Sequence, residues 1–168
     1  MKKDRIHIKV LLENVLFNKG EFCRIDIPIR VMAVEDYVKY QKINNLWWRM
    51  QFSKLWYRWG KTEARTEDYR TTISIQKKRL TEMVAGFSKG TFPDMPITIG
   101  SNYALKDGAH RLACHIYFNS EYVPVEFLDK PNFKPAGKDK LIMEHYTPEE
   151  LDLIQNYIND IIRKYDLL

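Results

Sequence analysis

Asp107-Gly108-Ala109-His110-Arg111 is the run in this 168-residue chain whose side chains could do chemistry together. It lies where a predicted strand gives way to a predicted helix. Backbone N–H groups of Gly108, Ala109, His110 and Arg111 at such a junction carry partial positive charge and favour phosphate, and a glycine lets a ligand approach closely. His110 and Arg111 add donors in a first turn where acids are more usual, a cost that a bound anion would offset. Asp107 could orient His110, hold a magnesium ion or accept a proton from a hydroxyl. The run is therefore a candidate polyphosphate clamp. It fits equally a plain strand-to-helix cap, with Asp107 as the N-cap and Arg111 paired to a surface acid.

The surrounding elements must position this run. Residues 6–10 and 25–31 alternate apolar and polar with period two and read as strands, Pro28 pushing the second towards a sheet edge. Helical spacing predicts a helix over 34–59, interrupted at Gly60 and Lys61, and a second over 74–87 with Leu80, Val84 and Phe87 on its apolar face. Gly86, Gly90, Pro93 and Pro96 signal its end. Strands at 96–99 and 103–106 around a Gly100-Ser101-Asn102 turn make a hairpin, followed by a helix over 109–118 and a strand over 123–128. A polar connector spans 129–144. The last helix, about 147–166, has the clearest start: Thr147 as N-cap, Pro148 at N1 and Glu150 at N3. The pattern predicts one α+β domain over 1–168, with a helical insertion at about 44–72.

Composition agrees with a single globular domain, since 45% of residues are hydrophobic and 29% charged. A chain of this size buries enough surface to fold without disulfides or a structural metal. Its two cysteines, Cys23 and Cys114, are too few for a secreted disulfide framework and too far apart for a Cys-x-x-Cys site. The N-terminal residues interleave charge with apolar side chains, unlike a signal peptide, and no apolar run is long enough to span a membrane. The expected location is the cytoplasm.

The net charge of +5 is concentrated. Residues 49–79 hold nine Lys and Arg against three acids, a balance of +6, which leaves the rest of the chain near neutrality. Such a patch reads as a solvated helix face or as the footprint of an anionic partner. All four tryptophans lie nearby, and Trp48, Phe52, Trp56 and Trp59 share one stripe on a helix. Core packing is the first reading of that stripe, and recognition of a ring-bearing partner, bases included, the second. His115 and Cys114 read as packing residues, and His7 and His145 have no ligand-like partners at metal spacing.

The hairpin, the Asp-Gly-x-His-Arg-Leu-Ala turn, its helix and the Val-Pro-Val strand together resemble the ParB/sulfiredoxin-like superfamily. The resemblance covers residues 73–128 and extends more faintly over 24–42. There Ile27-Pro28-Ile29 and Glu35 look like the family's first strand and following loop. It implies a nucleotide held between the helix before the hairpin and the Gly-x-x-Arg turn, with Lys78 and Arg79 as candidate phosphate contacts. Ala109 stands where sulfiredoxin has its nucleophilic cysteine, which excludes sulfinic acid reduction. Too little chain follows for the DNA-binding region of partition proteins.

The free-serine kinase type within that superfamily resembles this chain most, through Asp107, His110 and Glu35. The resemblance implies Glu35 as base on an acceptor hydroxyl, Asp107 and His110 organising the transferring phosphate, and Mg²⁺ at Asp107. The expected function is transfer of phosphate from ATP or ADP to a small hydroxyl-bearing metabolite. The alternatives are a ParB-like nuclease or nucleic-acid-binding protein working through residues 49–79, and a nucleotide-binding domain without turnover.

Overall fold

The computed structural model describes residues 2–58, 66–90, 94–134, 144 and 146–167. The chain is α+β. Its helices are α1 (Ile8–Val15), α2 (Asp26–Tyr40), α3 (Asn45–Arg58), α4 (Thr66–Ser88), α5 (Ala109–Tyr117) and α6 (Pro148–Lys164). The strands are β1 (Lys2–His7), β2 (Phe17–Asn18), β3 (Glu21–Phe22), β4 (Ile97–Ile99), β5 (Leu105–Asp107) and β6 (Tyr122–Phe127). The larger sheet runs β1-β6-β4-β5, with β4 parallel to β6 and the other pairs antiparallel. Strands β2 and β3 form a separate small hairpin, closed by Lys19 and Gly20, both at positive φ.

Two predicted strands are corrected. The alternation at 6–10 ends at His7, and the chain then turns helical with Ile8, Leu11, Leu12 and Val15 buried at i, i+3, i+4 and i+7. The His7 ring caps α1 by accepting the Lys9 N–H at 3.2 Å. Residues 26–31 are not a strand but the start of α2, whose positions 26–34 are all buried. A helix enclosed on every side shows no 3.6-residue period, so its apolar residues fell by chance into an alternation. Pro28 sits in the first turn, where a missing N–H breaks no intrahelical bond.

The predicted helix over 34–59 is two helices, separated after Gln41, which ends α2 in a left-handed conformation. Helix α4 begins eight residues before the predicted start at 74, and Gly86 lies inside it rather than at its end. Trp59, Gly60 and Lys61 fall outside the described residues, as do 135–143 of the connector. The Trp-rich stripe is out of phase with the core: Trp47 and Met50 are fully buried, whereas Phe52 is 43% exposed and stacks on Tyr69. Strand β4, helix α5 and strand β6 form close to where the sequence places them, whereas β5 begins two residues after its predicted start at 103 and includes Asp107.

Helix α5 is at the centre, packed on α2, α4 and β4 through Leu112, Ala113, Cys114 and Ile116. His115 is buried too, bonded to Ser120 Oγ at 2.8 Å and set edge-on to Phe87. Helix α6 clamps the assembly. Its Tyr157 hydroxyl donates to Glu35 on α2, its Glu150 pairs with Arg49 on α3, and its Tyr165 hydroxyl donates to the Ile116 carbonyl at the end of α5. Among the described residues no helix is long and apolar enough to cross a membrane.

The predicted cap of α6 is present as a capping box: Thr147 Oγ1 accepts the Glu150 N–H at 3.2 Å, and the Glu150 carboxylate accepts the Thr147 N–H at 3.0 Å. Thr147→Ala should cost about 1 kcal/mol in urea denaturation. An unchanged midpoint would mean that α6 is held by its packing face alone.

Candidate functional site

Strand β5 ends at Asp107, and Gly108 makes the turn into α5 with φ +99°. A Cβ on Gly108 would lie 2.7 Å from Ile97 Cγ2 on the neighbouring strand, so both the backbone angle and the close approach require glycine. Asp107 Oδ1 accepts the Gly108 N–H at 2.9 Å. The first backbone bond of α5 runs from the Leu112 N–H to the Gly108 carbonyl, so the N–H groups of Ala109, His110 and Arg111 have no helical acceptor.

These groups open onto a cavity of about 480 Å³. Asp107, Gly108, Ala109, His110 and Arg111 line one wall, and Arg79, with Gln76, Glu82 and Met83, lines the facing wall on α4. The turn and Arg79, singled out from the sequence, are thus brought together. The plain-cap alternative is not what forms. Gly108 is the N-cap, and Arg111 Nη1 donates to the Pro96 carbonyl at 2.7 Å instead of pairing with an acid. Arg111 Nε is buried without an acceptor. Arg79 is exposed and has no ion-pair partner among the described residues.

Lys78 and Glu35 are placed elsewhere. Lys78 points to solvent, 77% exposed and 3.9 Å from Glu82, and it does not line the cavity. Glu35 lies on α2 rather than on a loop after a first strand. Its carboxylate accepts the Tyr157 hydroxyl and, at 2.9 Å, the Lys39 ammonium, and those bonds hold its pKa below the usual carboxylate range. Glu35 thereby fastens α6 to α2. It is not among the residues lining the cavity.

His110 is a neutral group, not the cation expected at this helix start. Burial, followed by the nearby charges of Arg30 and Lys54, drives its pKa down to about 2. The Trp47 indole N–H donates to His110 Nε2 at 3.3 Å, which leaves the ring proton on Nδ1. Trp47 was read from the sequence only as part of an aromatic cluster. Its partner lies 63 residues away, and no local spacing signals that contact.

Sequence reasoning also missed a buried ionic cluster beside the cavity. Asp26 receives both Arg24 and Arg30, at 2.8 and 2.6 Å, and Lys54 approaches at 3.7 Å. Burial alone would raise the pKa of Asp26, but Arg24, Lys54 and Arg30 hold it well below the carboxylate range. Among its described residues the basic stretch is divided between cations with partners inside the chain and cations open to solvent, Arg70 and Arg79 among the latter. Lys54 turns inward to Asp26, Arg49 pairs with Glu150, and Lys77 lies 5.6 Å from the Trp48 ring centre. Burial pushes the Cys114 thiol up to about 12, as befits a packing residue.

No family model, curated protein or solved structure matches this chain.

Two expectations follow. Gly108→Ala should destabilise the fold by more than about 1 kcal/mol, measured by chemical denaturation, because the left-handed angle and Ile97 both oppose a methyl group. The second concerns acid. His110 and His115 stay neutral in the fold down to about 2 and about 4, whereas in the unfolded chain they take up protons near the ordinary histidine value of about 6.5. Stability should hold above that pH and fall below it, by up to about 2 kcal/mol per histidine at pH 5. His110→Gln should lose less stability than the parent between pH 7 and pH 5. Parallel losses would contradict this assignment.

Proposed function

We propose that this protein is a nucleotide-dependent phosphotransferase, moving phosphate from ATP or ADP to a small hydroxyl-bearing acceptor. The reading is carried by the convergence of Arg79, Arg111, Asp107, His110 and the open N–H groups of α5 on one cavity. Phosphoryl transfer depends mainly on positioning and on stabilising charge, and these are the groups that supply both. The resemblance of residues 73–128 to the ParB/sulfiredoxin-like superfamily supports the same reading.

Arg79 and the N–H groups of Ala109, His110 and Arg111 would hold phosphate oxygens from opposite walls. Arg111, tied to Pro96 at one end, contributes a fixed positive charge. His110 would act as a neutral donor through Nδ1, its ring oriented by Trp47. The two arginines of the cavity face two carboxylates, Asp107 and Glu82, so the side chains alone carry no excess of positive charge. Mg²⁺ is held by one or two carboxylates together with substrate phosphates, and Asp107, which lines the cavity with one oxygen bonded to the Gly108 N–H, would be the carboxylate that holds it. When bound, it would offset the charge of the transferring phosphate. The Asp107 oxygen not engaged by Gly108 is the one available to the metal or to the acceptor hydroxyl.

The test is incubation with labelled ATP or ADP, Mg²⁺ and a pool of hydroxyl metabolites. Acceptor-dependent transfer is expected, and Asp107→Asn and Arg79→Ala should each lower it by about 100-fold or more. Saturable nucleotide binding without product would make the cavity a sensing site. Turnover indifferent to both substitutions would remove the cavity from the reaction.

A further inference from the structure

A groove of about 660 Å³ lies where α2 gives way to α3, lined by Asp36, Tyr40, Lys42, Ile43, Asn44 and Asn45. It shares no lining residue with the cavity at the α5 turn. Asp36 and Tyr40 stand four residues apart on α2 and therefore on one face of it. Gln41 ends that helix in a left-handed conformation, and α3 begins at Asn45.

The polar groups of the groove are anchored by the fold. Asn44 Oδ1 accepts the Trp47 N–H at 2.9 Å, the bond of a helix cap, and Asn44 Nδ2 donates to Asp36 Oδ2 at 3.0 Å. A carboxylate has a second acceptor oxygen and an amide a second N–H donor. Among the described residues neither Asp36 Oδ1 nor the second Nδ2–H of Asn44 has a partner, so an acceptor and a donor are held side by side. Tyr40 lines the same groove, 67% exposed, and its ring meets no other ring among the described residues.

A pyranose suits this lining. Its neighbouring hydroxyls each donate and accept, and one face of its ring is a C–H surface that can rest on an aromatic side chain. One hydroxyl would donate to Asp36 Oδ1 while the next accepts from Asn44 Nδ2. Asn45 and Lys42 supply donors for further hydroxyls. Asp36 and Lys42 are the one acid and the one base of the lining, a balance that favours an uncharged ligand.

We propose that this groove is a carbohydrate-binding site, with Asp36 and Asn44 on two neighbouring hydroxyls of a pyranose and Tyr40 against its ring. The site is independent of the transfer reading, since none of its residues lines the other cavity.

The experiment is saturation-transfer NMR on the whole protein with methyl glycosides of glucose, galactose, mannose and N-acetylglucosamine, followed by titration of the tightest. At least one is expected to bind with a Kd of about 10 mM or below. Tyr40→Ala and Asp36→Asn should each weaken it by about 10-fold, the first by removing the stacking surface and the second by removing the charged acceptor. Asp36→Asn keeps an oxygen for Asn44, and Tyr40 is exposed, so both variants should melt with the parent. Arg79→Ala, or saturating ATP with Mg²⁺, should leave sugar binding unchanged. Four results would overturn the proposal: no binding by any glycoside of the panel, binding indifferent to Tyr40 and Asp36, binding lost with Arg79 or displaced by nucleotide, or free adenine or guanine preferred to every glycoside. Sugar binding that follows Tyr40 and Asp36 in a protein that transfers no phosphate would sustain the groove and remove the transfer reading alone.

Discussion

The close approach of Gly108 to Ile97 is the constraint on which the rest of the site depends. Strand β5 has to leave the sheet and enter α5 within one residue, against the face of β4, and only a residue without a Cβ fits there with a positive φ. That turn fixes where the unbonded N–H groups of α5 point and sets Asp107 beside them. Packing holds the other end in place. Helix α5 is wedged between α2, α4 and the sheet, and Lys164 and Tyr165 of the C-terminal helix both donate to its Ile116 carbonyl. The helix start can therefore face a cavity without support from a side-chain cap.

The electrostatics around the turn come from a neighbouring element. Arg24, Arg30 and Lys54 gather around the buried Asp26 carboxylate, and burial, followed by the charges of Arg30 and Lys54, keeps His110 neutral. A neutral imidazole with Nε2 occupied by Trp47 is an oriented donor rather than a competing charge. Cations at a helix start are unfavourable. The fold reduces that cost by discharging the histidine and tying Arg111 to a carbonyl, and it leaves Arg79 on the opposite wall as an exposed cation.

Much of this was legible in the residues themselves. The hairpin, α5, β6 and the capped last helix follow from turn residues and periodicity, which are local signals. The turn and Arg79 were visible as a motif and a preceding basic helix. What stayed hidden depends on long-range packing. The N-terminal half of α2 looked like a strand because burial on every side erases helical periodicity, and that error placed Glu35 on a loop when it serves to fasten α6. The inward turn of Lys54 and the contact of Trp47 with His110 join residues distant in sequence, and neither residue type marks such a partner in advance.

The proposed activity requires the start of α5 to be a phosphate seat. A crystal structure with a non-hydrolysable ATP analogue and Mg²⁺ tests this most directly. It should place phosphate oxygens within hydrogen-bond distance of the N–H groups of Ala109–Arg111 and of the Arg79 guanidinium. An analogue bound elsewhere, or the cavity closed by the protein's own side chains at saturating analogue, would contradict it.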